Sequence, residues 1–284
     1  MSRKTYNGII VYNKNDAEKN TWFIEKMIDD ALVFGLNLKL VFSDEITEET
    51  LCDFAIMRDR DYKLSQYLEK RGVQVFNNST VSKICNDKLE TYNYFKDKSI
   101  PLMYTQRSKL PYPFVLKPRD GHGGAFVYLI ENSSQYDAAL DEIKRDYFNP
   151  GMQNDELQNA INESFIYQIK ASETGKDTRV YVLGDLILTS MQRESSSDFR
   201  ANFSLGGHAK EVALNDEELK IVSKVKSELN IDFGGIDIIY NNDHPVLNEI
   251  EDVVGTRMLY KYTDIDACRE YIKWIAEKLM EKEV

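Results

Sequence analysis

Two apolar, strand-like segments near the C-terminus, Gly234-Gly235-Ile236-Asp237-Ile238-Ile239 and Pro245-Val246-Leu247-Asn248-Glu249-Ile250-Glu251, carry carboxylates where a strand of this kind is meant for burial. Strand side chains alternate between faces, so Glu249 and Glu251 point the same way and Ile250 the other. Asp237 joins them only in one register. If the strands pair antiparallel, an odd-numbered loop such as Asn242-Asp243-His244 sets Asp237 opposite Glu249, whereas a two-residue loop throws it onto the other face. Three like charges share a low-dielectric patch only when protonated or neutralised. Oxygen-only donors suit Mg²⁺ or Mn²⁺ better than zinc. The same residues would also suit a solvated hairpin edge with scattered acids, so register separates a cation site from a surface.

The chain has 284 residues and is 42% hydrophobic, enough for a sizeable core divided among two or three lobes. Its net charge of −11, with no basic run above the acidic background, argues against nucleic acid as a partner. Cys52, Cys85 and Cys268 have no paired spacing, which fits a reducing cytoplasm, and none is placed as a nucleophile. No apolar run reaches the ~18 residues of a membrane span, so a cytoplasmic protein with no membrane partner is expected. Association with further copies of itself stays open.

Residues 1–80 alternate strand and helix: strands at 9–12, 38–42, 54–57 and 73–76, an amphipathic helix at 17–34 ended by Gly35, and a helix at 64–70. Such alternation implies a parallel sheet. The lobe lacks GxGxxG, so a substrate platform suits it better than a dinucleotide site. A second lobe over 81–164 follows. It holds a helix capped by Ser79 or Ser82 and running through Lys88 to 95, strands at 113–118 and 125–130, and a helical stretch over 134–163 looping at Asn149-Pro150-Gly151. A third lobe, 165–284, holds a strand at 165–169, a hairpin over 178–191 turning at Gly184-Asp185, a helix at 216–229, the acidic hairpin and a helix at 265–282. The fold class is α+β with an α/β first lobe.

Lys117 leaves its strand directly into Gly121-His122-Gly123-Gly124, where bare backbone lets N–H groups approach anionic oxygens while the lysine supplies a point charge. GxxxxGK[ST] is absent, and a ligand-free hairpin loop is the plain alternative. Lys88, in Asn86-Asp87-Lys88-Leu89, is matched by the ordinary reading of a solvated helix lysine. Arg179, in Gly175-Lys176-Asp177-Thr178-Arg179, Arg193, in Met191-Gln192-Arg193, and Arg200, in Asp198-Phe199-Arg200-Ala201-Asn202, would neutralise charge on a transferred phosphoryl group if they faced it. Taken singly, each also suits surface pairing with the many acids. His122, His208 and His244 have neither metal-ligand spacing nor Ser/Asp partners for a triad.

In order along the chain, Cys85-Asn86-Asp87-Lys88-Leu89-Glu90-Thr91-Tyr92 with Ile100-Pro101, Val115-Leu116-Lys117-Pro118, Gly175-Lys176-Asp177-Thr178-Arg179, Phe199-Arg200-Ala201-Asn202, Gly234-Gly235-Ile236-Asp237 and Asn248-Glu249-Ile250-Glu251 resemble the ATP-grasp superfamily. The resemblance is closest to the RimK-type, glutamate ligase-like branch and extends over nearly the whole chain. It implies an ATP-grasp fold behind a Rossmann-like pre-ATP-grasp lobe, with ATP between two α+β lobes. Lys88 and Lys117 would reach its phosphates, and the loop of Gly121, Gly123 and Gly124 would close over them as a lid. Gln168 and Ile169 would read adenine through backbone groups. Asp177 and Arg200 fall on nucleotide-contacting positions, with Arg179 beside Asp177. Arg193 and Asn202 fall at the reaction centre, where with Arg200 they would position an acyl phosphate, and Asp237, Glu249 and Glu251 would hold Mg²⁺, with Mn²⁺ as a substitute.

The implied activity is an ATP-dependent ligase: a small-molecule carboxylate, an amino acid or peptide, is phosphorylated and then attacked by an amine to give an amide. Ester formation, plain phosphotransfer and a non-catalytic nucleotide-binding regulator stand as alternatives. The sequence departs from the family pattern at Glu251, where relatives carry asparagine, at Gln168, where they are often acidic, and at Asp252-Val253-Val254-Gly255-Thr256-Arg257, which lacks their proline-glycine turn. Substrate choice is expected to rest on Arg257 and the first lobe.

Overall fold

The structure is a computed structural model and describes residues 5–196, 198–201 and 208–281. The first lobe comprises β1 (Tyr6–Tyr12), α1 (Lys14–Lys19), α2 (Thr21–Val33), β2 (Leu36–Phe42), β3 (Phe54–Met57), α3 (Tyr62–Lys70) and β4 (Gln74–Phe76). Its sheet is wholly parallel, in the order β2-β1-β3-β4. The single helix expected over 17–34 is two helices. Asn13 caps the first, and Asn20 ends it by turning its side-chain amide back onto the Asp16 carbonyl at 2.7 Å. The second stops before Gly35, which takes the left-handed φ of +76°.

The helix expected to run from Ser79 or Ser82 through Lys88 is also two: α4 (Ser79–Cys85), capped by Asn78, and α5 (Lys88–Phe95), capped by Asp87. The Asp87 carboxylate accepts from the amides of Leu89 and Glu90, which fixes Lys88 at the first helical position. Both helices pack beneath the C-terminal sheet, where Val81, Ile84 and Phe95 meet Val180, Ile236 and Leu247, so residues 81–95 do not belong to the middle sheet's layer. The middle sheet contains β5 (Thr105–Gln106), β6 (Phe114–Pro118), β7 (Tyr128–Ile130) and β8 (Phe165–Ile169), in the order β5-β8-β6-β7. Its strand β7 is shorter than the expected 125–130. The strand assigned to the start of the third lobe, 165–169, is hydrogen-bonded to β6 and completes this sheet. Helices α6 (Ser133–Glu142), which runs on into a π-helical turn at Ile143–Tyr147, and α7 (Asn154–Ser164) cover it.

The last part holds β9 (Lys176–Leu183), β10 (Leu186–Glu194), β11 (His208–Glu211), α8 (Asp216–Glu228), β12 (Phe233–Asn241), β13 (His244–Glu251), α9 (Arg257–Tyr262) and α10 (Ala267–Glu281). Its antiparallel sheet runs β11-β10-β9-β12-β13. Val180, Val182, Ile236, Ile238, Leu247 and Ile250 cover one face and pack with α4, α5 and α8. Alternation therefore sends Asp177, Arg179, Asp237, Glu249 and Glu251 to the other face.

The acidic hairpin reaches that arrangement by an unexpected route. Asn241 pairs with His244, so the loop has two residues, Asn242 and Asp243, both left-handed at φ 53° and 64°. Such a loop alone would turn Asp237 away from Glu249. Ile238 pairs with Leu247 but Asp237 pairs with Glu249, and the extra residue, Asn248, is a β-bulge that restores the shared face.

Close approach in the first sheet depends on Gly8, where a Cβ would lie 2.1 Å from the ring of Phe54 on the neighbouring strand. Gly8→Ala is expected to cost about 1–3 kcal/mol by urea unfolding, and Phe54→Leu in the same chain to recover part of it. An unchanged midpoint in Gly8→Ala would contradict the packing.

Candidate active site

The ladder aligns charges across the sheet face. Arg193 lies opposite Asp177, Arg179 opposite Asp237, and Asp237 opposite Glu249. Arg179 holds Asp237 with two bonds, Nε to Oδ1 and Nη2 to Oδ2, both 2.7 Å, and its Nη2 also lies 2.7 Å from Oε1 of Glu251. Arg193 grips Asp177 at 2.6 and 2.7 Å and reaches Oδ2 of Asp237 at 2.9 Å. Burial pushes the Asp237 carboxyl up, but the two guanidinium groups outweigh it and hold the group well below the usual carboxylate range. Glu251 goes the other way: burial raises it, and the pull of Arg179, with a smaller one from Arg193, is offset by Asp237 and Glu249 nearby. Burial also raises Asp177, against the pull of Arg193.

Two lysines face this row. Lys88 Nζ lies 3.0 Å from Oε1 of Glu249 and donates to the Gly121 carbonyl. Lys117 Nζ donates to Oδ1 of the bulged Asn248 at 3.3 Å. Burial pulls the Lys117 ammonium down to about 8, with Lys88 adding to the effect and Glu249 opposing it, so the two amines share one neighbourhood. Arg119 braces the corner by pairing with Asp87, the cap of α5. Arg200 binds Asp198 and donates to the Gly124 carbonyl at 2.6 Å. Gly123 and Gly124 take φ of +69° and +82°, a conformation that favours glycine.

All of these side chains except Asp198, Arg119 and Asp87 line one cavity of about 840 Å³. Gln168 and Ile169 of β8 line it too. Gln168 is buried, with its side-chain amide on Thr105 at 3.2 Å, and the Ile169 amide donates to the Tyr104 carbonyl. Asn202 lies outside the described residues. Arg179 bridges Asp237 and Glu251, and Asp177 pairs with Arg193.

Among the described residues no three His, Cys, Asp or Glu side chains are gathered as a ready metal cage. Asp237, Glu249 and Glu251 share a face, yet each is neutralised by an arginine or lysine. Two arginines engage both oxygens of Asp237, whereas among the described residues Glu249 and Glu251 each meet one cation through a single oxygen. The donor set thus fits a hard divalent cation best through Glu249 and Glu251, with Asp237 as the anion that anchors the arginines. Sequence reasoning missed Asn248, whose role depends on the bulge, and missed Tyr12, Arg58 and Arg60 of the first lobe, which line the same cavity. Their signal was position at the ends of parallel strands.

The three-layered arrangement, a parallel lobe followed by two sheets facing each other across a charged cleft, is that of an ATP-grasp protein. Residues 82–275 match the RimK-like ATP-grasp domain, and the chain belongs to that family. It is 27% identical over 286 residues to an uncharacterised protein of Mycoplasma pneumoniae, covering 95% of this chain and 92% of the relative. It is 25% identical over 223 residues to a probable alpha-L-glutamate ligase of Haemophilus influenzae, covering 74% and 69%. The D-alanine–D-alanine ligase of Bacillus anthracis superposes with a TM-score of 0.73 at 13% identity, covering 99% of this chain and all (100%) of that one, which shows the shared fold.

Removing Asp237 leaves two buried guanidinium groups one carboxylate short, Arg179 with Glu251 alone and Arg193 with Asp177 alone. Asp237→Ala is expected to lose about 3–5 kcal/mol in urea, a neutral denaturant that leaves ion pairs unscreened. A loss under about 1 kcal/mol, the worth of an exposed pair, would mean that water reaches the row.

Proposed function

We propose that this chain is an ATP-dependent ligase that joins a carboxylate to an amine through an acyl phosphate. The observation that carries the reading is the meeting of Lys88 and Lys117 with Glu249 and Asn248 across one cavity, beside the arginine-carboxylate row. Membership of the RimK-like family supports it, as does the glutamate ligase name of a relative. In this reading Lys88 and Lys117 bind the nucleotide phosphates, and Gln168 and Ile169 offer backbone groups to the base. Gly121, Gly123 and Gly124 close over the phosphates and exclude water. Lys88 and Arg200, which hold carbonyls of that loop, couple its position to the charge bound beneath it.

Glu249 and Glu251, with Asp237 beside them, would hold Mg²⁺ or Mn²⁺, which supplies charge neutralisation on the phosphate oxygens. A carboxylate oxygen of one substrate attacks the γ-phosphorus and ADP departs. The amine of the second attacks the acyl carbon, the C–O bond to phosphate breaks, and the amine loses a proton. Arg179, Arg193 and Arg200 stabilise the spreading negative charge, with Asn202 assigned to the same centre. No side-chain nucleophile takes part, in keeping with a site built of charge and positioning. Small carboxylate and amine substrates of amino-acid or peptide type suit a cavity of about 840 Å³.

Incubated with ATP, Mg²⁺ and pooled amino acids and dipeptides, the protein is expected to release ADP only when the pool is present. Glu249→Ala should slow that release roughly 100-fold. Release that ignores the pool would favour ATP hydrolysis, and no release beside tight ADP binding would favour a regulator.

Phosphate binds the ammonium form of Lys117, which burial pulls down to about 8. Affinity for MgADP is therefore expected to be highest below that pH and to fall as pH rises through it, with Lys117→Arg flattening the profile because guanidinium stays charged. Calorimetry between about pH 7 and 9.5 checks this, and a flat wild-type profile would remove Lys117 from the phosphate site.

A further inference from the structure

Arg58 follows β3 directly and is only 6% exposed. Its Nε donates to the Tyr12 hydroxyl at 3.3 Å, its Nη2 to the Val254 carbonyl at 3.0 Å, and its Cζ lies 5.1 Å from the centre of the Phe23 ring. Unlike Arg179 and Arg193, it has no carboxylate within ion-pair distance among the described residues, and its Nη1 makes no hydrogen bond there. The buried carboxylate of Asp252 acts on Arg58 from beyond that distance, and a buried guanidinium without a direct ion pair is costly. Arg58 nevertheless lines the cavity, together with Tyr12 and Phe23 of the first lobe.

Its place in the topology is a second and independent sign. The parallel sheet departs in opposite directions from the β1-β3 pair, toward β2 on one side and β4 on the other. In open α/β sheets ligands bind outside the carboxyl ends of the strands at such a switch point. Tyr12 ends β1 and Arg58 follows the end of β3, and the Arg58 amide donates to the Val11 carbonyl, which pins the side chain's origin at that edge. Arg60, two residues on, lines the same space, with Asp16 at a loose 3.9 Å as its partner.

We infer that Arg58, supported by Arg60, is the seat of a free carboxylate on one of the two substrates, distinct from the carboxylate that is joined. The inference rests on the ligase reading for its choice of substrate over nucleotide. It assigns the first lobe a chemical selectivity: an amino acid or peptide enters with an unreacted carboxylate anchored at the switch point, and this sets the distance to the phosphate corner. Charge-assisted, forked bonds to guanidinium are the strong kind, so amidation of that carboxylate should be felt as a large loss.

The test titrates the full chain, saturated with MgADP, with free amino acids and dipeptides, with their C-terminal amides, and with glutamine and asparagine in place of glutamate and aspartate. A free acid is expected to bind about 10- to 100-fold tighter than its neutral counterpart. Loss on C-terminal amidation assigns the terminal carboxylate, and loss on passing from glutamate to glutamine assigns an acidic side chain. Arg58→Met should erase the difference while MgADP affinity stays unchanged. Should that variant fail to fold, Arg58→Lys, which keeps the charge without the fork, should weaken the acid alone. Equal binding of acid and amide, no binding by any member of the panel, or full acid affinity in the Arg58 variants would overturn the assignment and leave Arg58 as a tie between lobes. Failure of the wild-type chain to bind MgADP would instead sink the nucleotide reading.

Discussion

One extra residue decides which side of the C-terminal sheet is charged. With a two-residue turn at Asn242 and Asp243, an unbroken ladder would place Glu249 and Glu251 on the face opposite Asp237, among Ile236, Ile238 and the helices beneath. The bulge at Asn248 shifts the register by one and returns both glutamates to the cleft. It also leaves Asn248 itself free of the ladder, where its side chain meets Lys117. The whole electrostatic arrangement depends on that local irregularity, in keeping with the tendency of bulges to sit beside functional sites.

On the cleft face, four carboxylates, Asp177, Asp237, Glu249 and Glu251, stand with four cations, Lys88, Lys117, Arg179 and Arg193. The row is neutral as it stands, which is how so many charges share a buried surface. The pairing is uneven, however. Asp237 is gripped by two arginines and held ionised, while Glu249 and Glu251 each meet one cation. Anions and a divalent cation arriving together would exchange partners with this set at little electrostatic cost, since phosphate takes the lysines as the metal takes the glutamates. Arg58, buried and without a direct ion pair among the described residues, stands outside these pairs, and that motivates a separate anion in the same cavity.

Much of this was legible in the sequence. Strand alternation gave the cleft face of β9, β12 and β13, and the collinear motifs led to Lys88, Lys117 and the acidic hairpin. Loop parity misled, because a bulge has no reliable sequence signature and Asn248 reads as an ordinary strand residue. Helix breaks at Asn20 and at Asn86-Asp87 were passed over because apolar periodicity continued across them, although the capping side chains stood in plain view. Pairing across lobes was beyond local reading: 165–169 follows a helix of the middle layer and returns to β6, and α4 and α5 slide under a sheet whose strands lie some hundred residues later. Sequence left Arg179 and Arg193 open between phosphate and pairing with acids, because it does not reveal which acid faces which base.

A crystal structure grown with ADP and Mn²⁺, with the metal located by its anomalous scattering, tests the centre most directly. Expected is a metal bound by Glu249 and Glu251 and bridged to phosphate oxygens, with Lys88 and Lys117 on those phosphates and Asp237 still holding Arg179 or Arg193. Manganese found elsewhere, or nucleotide bound with both glutamates still on their present partners and both lysines away from phosphate, would contradict it.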